Sequence, residues 1–188
     1  MKQAHPRTLV VFFSRNGRTR RIAQALAERL HADVEEIHAV QSREGLLGYA
    51  QSALEAMAML APAIAAPRHD SAGYELVVIG SPVWCWSLSS PVRTWLLQAA
   101  LPHARVAFFC TMGGSGASRV FDTMASLTGK PPLATLALTE HEVDQGPTAA
   151  LDQFVRALQG PPPKSRRATG QPARARRTVA RAPAKARA

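Results

Sequence analysis

The sequence predicts an α/β domain, a parallel β-sheet with helices packed on both faces. Three observations carry this reading. The continuous apolar runs Leu9–Phe13, Leu76–Ile79 and Val106–Cys110 suit strands buried on both faces. Segments with apolar residues at helical spacing alternate with them along the chain. Such alternation implies right-handed crossovers and a parallel sheet. A chain of 188 residues, 46% of them apolar, is also long enough to bury a core.

Leu9–Phe13 ends in the polar, glycine-containing loop Ser14–Thr19, after which Ile22, Ala23, Leu26, Ala27 and Leu30 recur on one helical face. Val34–Ile37 is a shorter, more polar strand. Leu46–Leu60 reads as an Ala/Leu/Met-rich helix stopped by Pro62, and as a candidate homodimer face. Leu76–Ile79 is a buried strand ended by Gly80. Pro91 opens a helix, because proline is tolerated in the first turn, with Ser90 placed to cap it and Val92, Trp95, Leu96 and Ala99 on one face. Val106–Cys110 is the next strand, Arg119–Leu127 a helix and Leu133–Leu138 the final strand. Leu151, Phe154, Val155 and Leu158 mark a closing helix. The expectation is five strands interleaved with five helices.

The formal charge of +10 is unevenly distributed. Residues 160–188 hold nine bases and no acid, which leaves 14 bases and 13 acids in residues 1–159. Val179 is the only large aliphatic side chain in that basic stretch, so nothing there offsets the entropy of ordering it. We therefore expect a folded domain over 1–159 and a disordered basic Ala/Arg/Pro-rich tail over 160–188. The tail reads either as an electrostatic arm for nucleic acid, acidic lipid or an acidic partner protein, or as an unselected extension. No apolar run is long enough to span a bilayer. The apolar run at Leu9–Phe13 is too short for a secretory signal, so a cytoplasmic protein is expected. Two cysteines, Cys85 and Cys110, are too few for a disulfide framework and match no zinc spacing.

In a doubly wound sheet, ligands bind outside the carboxyl ends of the strands, so the loops after the strands are the informative ones. The first, Ser14-Arg15-Asn16-Gly17-Arg18-Thr19, combines hydroxyls, an amide, a glycine and a helix start. That combination reads either as a phosphate nest or as a turn and cap. It lacks the lysine ending of a triphosphate loop, and no GxGxxG is present. The second, Ser81-Pro82-Val83-Trp84-Cys85-Trp86-Ser87-Leu88-Ser89-Ser90, places two tryptophans where a planar ring would stack, or where they would pack on a neighbouring helix. The third, Thr111-Met112-Gly113-Gly114-Ser115-Gly116, lets main-chain groups approach a polar heterocycle edge. A phosphoryl-accepting receiver domain would need acids at these strand ends, which are Ser14, Ser81 and Thr111.

These loops, taken in order with Phe13, Gly80, Pro91-Val92-Arg93 and Cys110, resemble the flavodoxin-like family, whose members bind FMN. The resemblance covers about residues 8–159 and implies a five-stranded sheet of order 2-1-3-4-5 with non-covalent FMN at the switch point. It implies that Ser14, Asn16, Gly17, Arg18 and Thr19 hold the phosphate, the Thr19 hydroxyl donating, with Arg15 also among the cofactor-binding residues of this loop. Pro82, Val83, Trp84, Cys85 and Trp86 would line the ring system, with Trp84 or Trp86 stacking. Thr111, Met112, Gly113 and Gly114 would meet the polar ring edge. Of the four cations Arg15, Arg18, Arg20 and Arg21, only Arg18 is expected near the phosphate.

Two departures bear on mechanism. Electron-carrying members of the family use a glycine in the second loop for a peptide flip that stabilises one-electron-reduced flavin. Val83–Ser87 has no glycine, and a non-glycine residue is disfavoured by about 1 kcal/mol or more in the left-handed region. Carriers are also commonly very acidic, whereas this domain is near neutral. Both departures lean towards an oxidoreductase passing electron pairs from NAD(P)H to a quinone-like acceptor, with a one-electron carrier as the alternative and a redox partner protein as the alternative acceptor. No side chain is assigned as a catalytic acid or base. His141, Glu142 and Asp144 read as a solvated loop that either delivers a proton or shapes the pocket, and both cysteines read as structural.

Overall fold

The structure, a computed structural model, describes residues 6–40 and 62–160. Chain order is β1 (Thr8–Phe12), α1 (Arg18–Leu30), β2 (Asp33–Glu36), β3 (Leu76–Trp84), β4 (Ser87–Leu88) and α2 (Ser90–Gln98). There follow β5 (Arg105–Met112), α3 (Ala117–Thr128), β6 (Thr135–Thr139), α4 (Glu140–Gln145) and α5 (Thr148–Gln159). The parallel sheet runs β2-β1-β3-β5-β6, and the short β4 pairs antiparallel with the end of β3. With β4 set aside, this is the predicted order 2-1-3-4-5.

Period-two alternation in the central strands sends successive side chains to opposite faces, which is why these strands read as unbroken apolar runs. Leu9, Val11, Ile79 and Phe108 join Val92 and Trp95 of α2 and Val120 and Met124 of α3 in one core. Val10, Phe12, Val78 and Phe109 join Ile22 and Leu26 of α1 and Phe154 and Leu158 of α5 in the other. Both layers are needed to cover the strands, so helix placement follows from strand composition.

Three local expectations are corrected. Gly80 does not end its strand: β3 stays paired with β5 through Gly80, Ser81 and Pro82. Gly80 is there for space, since a Cβ at that position would run into the buried Phe109 ring opposite it. Ser90 is the first residue of α2, not its cap. Ser89 takes the N-cap position, and its hydroxyl lies 2.9 Å from that of Ser81. Residues 140–145, read as a loop, form helix α4. The predicted helix Leu46–Leu60 and residues 161–188 of the predicted tail lie outside the described residues.

Candidate functional site

The loops after β1, β3 and β5 converge at the carboxyl edge of the sheet on a cleft of about 190 Å3. Arg15 and Asn16 line one end. Pro82, Val83 and Trp84 form a wall, and Thr111, Met112 and Gly113 a second side, with Glu140 contributed by α4. The cleft lies where the strand order reverses between β1 and β3, the switch point of such sheets.

In the first loop, the Gly17 amide donates to Ser14 Oγ at 3.1 Å and the Arg18 amide to Asn16 Oδ1 at 3.3 Å. These bonds hold the chain in the tight entry to α1, with Gly17 at the N-cap in the left-handed region, φ 86°. The positive end of the helix dipole is thereby presented to the cleft. Thr19 is only 1% exposed, and its hydroxyl sits 2.8 Å from that of buried Thr111. It therefore ties the first loop to the third instead of opening into the nest.

The arginines also differ from expectation. Arg18 forks onto Asp144, at 3.2 Å and 2.8 Å, with a third contact at 3.0 Å to Glu140, a residue that lines the cleft. Hydrogen bonding to Asp144 raises the Arg18 pKa, and the same contact holds the Asp144 carboxyl below its ordinary value. Arg20 binds Glu36, and Arg21 approaches Asp144 at 3.8 Å. Arg15, not Arg18, is the arginine that lines the cleft. The reason is tertiary: α4 delivers two carboxylates to the first turn of α1.

The second loop is a β3–β4 hairpin with a two-residue turn, Cys85-Trp86, at φ 46° and 56°. Positive φ at both central residues is the type I′ geometry that matches strand twist and ordinarily selects Asn-Gly. The left-handed region that a glycine-free loop was expected to avoid is thus occupied twice. The two indoles separate. Trp84 is 7% exposed and stands edge-on to Phe13, with ring centroids 5.4 Å apart. Trp86 is 63% exposed, and its Nε1 donates to Ser115 Oγ at 2.8 Å. It leans on Gly116, where a Cβ would come within 2.9 Å of Val83 Cγ1 and 3.0 Å of Trp86 Cα.

Cys85 is partly exposed and Cys110 buried, both as free thiols. Burial pushes the Cys110 thiol up to about 12, so it stays protonated and unreactive near neutral pH. In the third loop, a Cβ at Gly113 or Gly114 would meet nothing within 4 Å, so the main chain there is open to an approaching ligand.

The sequence reading missed Glu140, which lines the cleft from α4. The signal was present as Thr139-x-x-Glu142, a capping box. The Glu142 amide donates to Thr139 Oγ1 at 3.2 Å, and the Thr139 amide donates to Glu142 Oε2 at 2.7 Å. The Thr139 backbone bond, followed by the hydroxyl bond, lowers the Glu142 pKa.

The helix start, the aromatic wall and the open glycine edge thus lie together at the switch point of an α/β sheet, the place where such sheets take ligands. A flavodoxin family profile matches residues 7–136, more than half of the chain. The chain belongs to the flavodoxin family. Among solved structures it is similar to a flavoprotein in complex with FMN from Lactobacillus acidophilus. The two share 24% identity over 74% of this chain and 97% of the other, with a TM-score of 0.63. A candidate flavoprotein of Bacteroides uniformis aligns at 22% identity over 81% and 99% of the two chains, with a TM-score of 0.69. Oxidised flavodoxin 2 of Bacillus cereus aligns at 17% over 81% and 97%, with a TM-score of 0.51. By sequence, no curated protein matches the chain. Among the described residues, no helix is long and apolar enough to cross a membrane.

Proposed function

We propose that the chain binds FMN non-covalently at this cleft and acts as a flavin-dependent oxidoreductase, with NAD(P)H-linked, two-electron reduction of a quinone-like small acceptor as the leading reading. The observation that carries it is the convergence of three separate loops on one cleft with complementary chemistry. The residues fit the group: Arg15, Asn16 and the α1 start suit a phosphate, Trp84 and Pro82 a ring face, and the open Gly113–Gly114 backbone a polar ring edge. Such a flavin, when bound, supplies hydride and electron transfer.

The chain's own residues have three tasks in this reading. Arg15 and the helix start neutralise the dianionic end. The cleft volume of about 190 Å3 is below the roughly 300–1,000 Å3 of enclosing ligand pockets, so these residues grip part of the ligand and leave part accessible. Trp84, braced by Phe13, gives a rigid apolar wall that excludes water. Exposed Trp86, held by Ser115, forms an aromatic rim for a second planar molecule. One observation favours the alternative of a one-electron carrier: Cys85 and Trp86 already occupy the left-handed region.

An absorbance titration tests the reading, with FMN and phosphate-free riboflavin compared on the wild type and Arg15→Gln. FMN binding that weakens about tenfold in Arg15→Gln while riboflavin binding is unchanged supports phosphate recognition at this loop. No FMN binding by the wild type sinks the proposal. Anaerobic stepwise reduction then separates the two chemistries. Direct passage to the two-electron form, with NAD(P)H oxidation driven by a quinone, supports the reductase, whereas a long-wavelength one-electron band supports the carrier.

A further inference from the structure

We propose that a second pocket, at the amino edge of the sheet, binds a small primary ammonium compound that carries a neutral oxygen beside its charge. The pocket has a volume of about 300 Å3, within the range of small-ligand sites. His69, Asp70 and Ser71 line one side and Trp95, Gln98 and Ala99 the other, and no residue is shared with the cleft. Residues 69–71 come before β3 begins at Leu76, and residues 98–100 before β5 begins at Arg105. The pocket therefore lies at the opposite edge of the sheet from the cleft. The Ser71 hydroxyl donates to the Ala100 carbonyl at 2.9 Å and joins the two sides.

Three features set the chemistry of the ligand. The first is negative polarity without a cation to balance it, since no lysine or arginine lines the pocket. Helix α2 ends here: the Ala99 amide donates to the Trp95 carbonyl at 2.8 Å, and among the described residues the carbonyls of Leu96, Leu97 and Gln98 accept no main-chain hydrogen bond. Those carbonyls form the negative end of the helix dipole. Asp70 adds a carboxylate, whose Oδ1 accepts from the Ala72 amide at 3.0 Å while Oδ2 takes no hydrogen bond among the described residues. The second is a fixed imidazole. His69 Nδ1 lies 2.7 Å from Oε2 of Glu35, a carboxylate only 5% exposed, and the same oxygen accepts the Arg68 and His69 amides at 3.0 Å and 3.1 Å. In the neutral ring, with the Nδ1 proton given to Glu35, Nε2 is an acceptor. The third is an unused donor. Trp95 is 2% exposed, and its indole Nε1 makes no hydrogen bond among the described residues; unlike the sealed Arg93 Nε, it keeps contact with accessible space. An ammonium group answers the helix end and Asp70, and an oxygen answers the indole. That oxygen is neutral, because a carboxylate would be repelled by Asp70. Pro67, Ala99 and the indole give an apolar surface for the rest of the molecule.

The test is an NMR titration of the isotope-labelled full chain with L-phenylalaninol, followed at the Trp95 indole N–H, a signal that Trp95→Phe identifies. The controls are 3-phenyl-1-propanol, which lacks the ammonium group, and 2-phenylethylamine, which lacks the hydroxyl. The Trp95 signal is expected to shift on addition of phenylalaninol up to about 10 mM, enough to fill a site with a Kd of about 1 mM, and each control to bind about tenfold more weakly. Asp70→Asn keeps the acceptor for the Ala72 amide and removes the charge, and is expected to weaken phenylalaninol binding about tenfold. Three results overturn the proposal: no shift of the Trp95 signal, equal affinity for either control, or unchanged affinity in Asp70→Asn. The first two are read on the wild type, so they stand whether or not the variant folds. Because the pocket shares no residue with the cleft, failure here is separable from failure of the flavin reading.

Discussion

The hydroxyls of Thr19, in the first turn of α1, and Thr111, near the carboxyl end of β5, lie 2.8 Å apart and buried, 92 positions apart in the chain. This pair joins the loop that carries Arg15 to the loop that carries Gly113 across the floor of the cleft. Removing one partner leaves a buried hydroxyl unpaired, a loss of about 1–3 kcal/mol. Thr19→Val and Thr111→Val should each destabilise the domain on that scale, and the double variant by less than their sum. A double-mutant cycle in urea is expected to return a coupling of about 1 kcal/mol. Strict additivity would show that the two loops are set independently.

The Cys85-Trp86 turn holds two residues without glycine's freedom in left-handed geometry. Asparagine tolerates that region better and is favoured at the first position of a type I′ turn. Cys85→Asn should therefore raise stability by about 0.5–1 kcal/mol. A thermal melt measures this, and a lowered midpoint would mean that the Cys85 side chain contributes packing that outweighs the backbone gain.

Gly80→Ala places a methyl against the Phe109 ring, which is fully buried and cannot swing aside. Overpacking of this kind typically costs about 1–3 kcal/mol. The effect should be non-additive with Phe109→Leu, which removes the obstacle: in the Phe109→Leu background, Gly80→Ala should cost much less than in the wild type. Equal costs in the two backgrounds, read from urea midpoints, would refute the steric explanation.

The Asp144 and Glu142 pKa values are held below their ordinary values, the first by Arg18 and the second by Thr139. A carboxyl depressed in the folded state adds stability that is present above its unfolded pKa and is lost as pH falls through the folded pKa. The fastening of α4 to α1 should thus be complete at neutral pH and fade below about pH 4. Arg18→Gln should destabilise at pH 7, and its difference from wild type should shrink as the pH falls towards 3. A difference independent of pH would assign the effect to the arginine's packing and not to its charge.

The α/β class and the three ligand-edge loops were legible in the sequence because the signals are local, whereas the sheet order came from the family resemblance. A strand buried on both faces must be apolar at every position, as Leu9–Phe13 and Val106–Cys110 are. The helix face through Ile22 and Leu26 repeats at its own period. Even the overlooked α4 left a local mark in Thr139 and Glu142. The extent of β3 beyond Gly80 was not legible, because glycine at a strand end and glycine making room for a ring look alike until Phe109 is placed opposite.

The sequence by itself determined the α/β class, which loops would meet, and the concentration of positive charge in residues 160–188. Tertiary structure alone decided which tryptophan is walled in by Phe13 and which stands exposed against Ser115. It also decided that Arg15 and not Arg18 lines the cleft, and that the Thr19 hydroxyl faces Thr111. Each of these depends on a partner far away in the chain, brought close by sheet register and helix docking. Hydrophobic periodicity specifies that an element packs, but the distance between two side chains exists only once both elements have been placed.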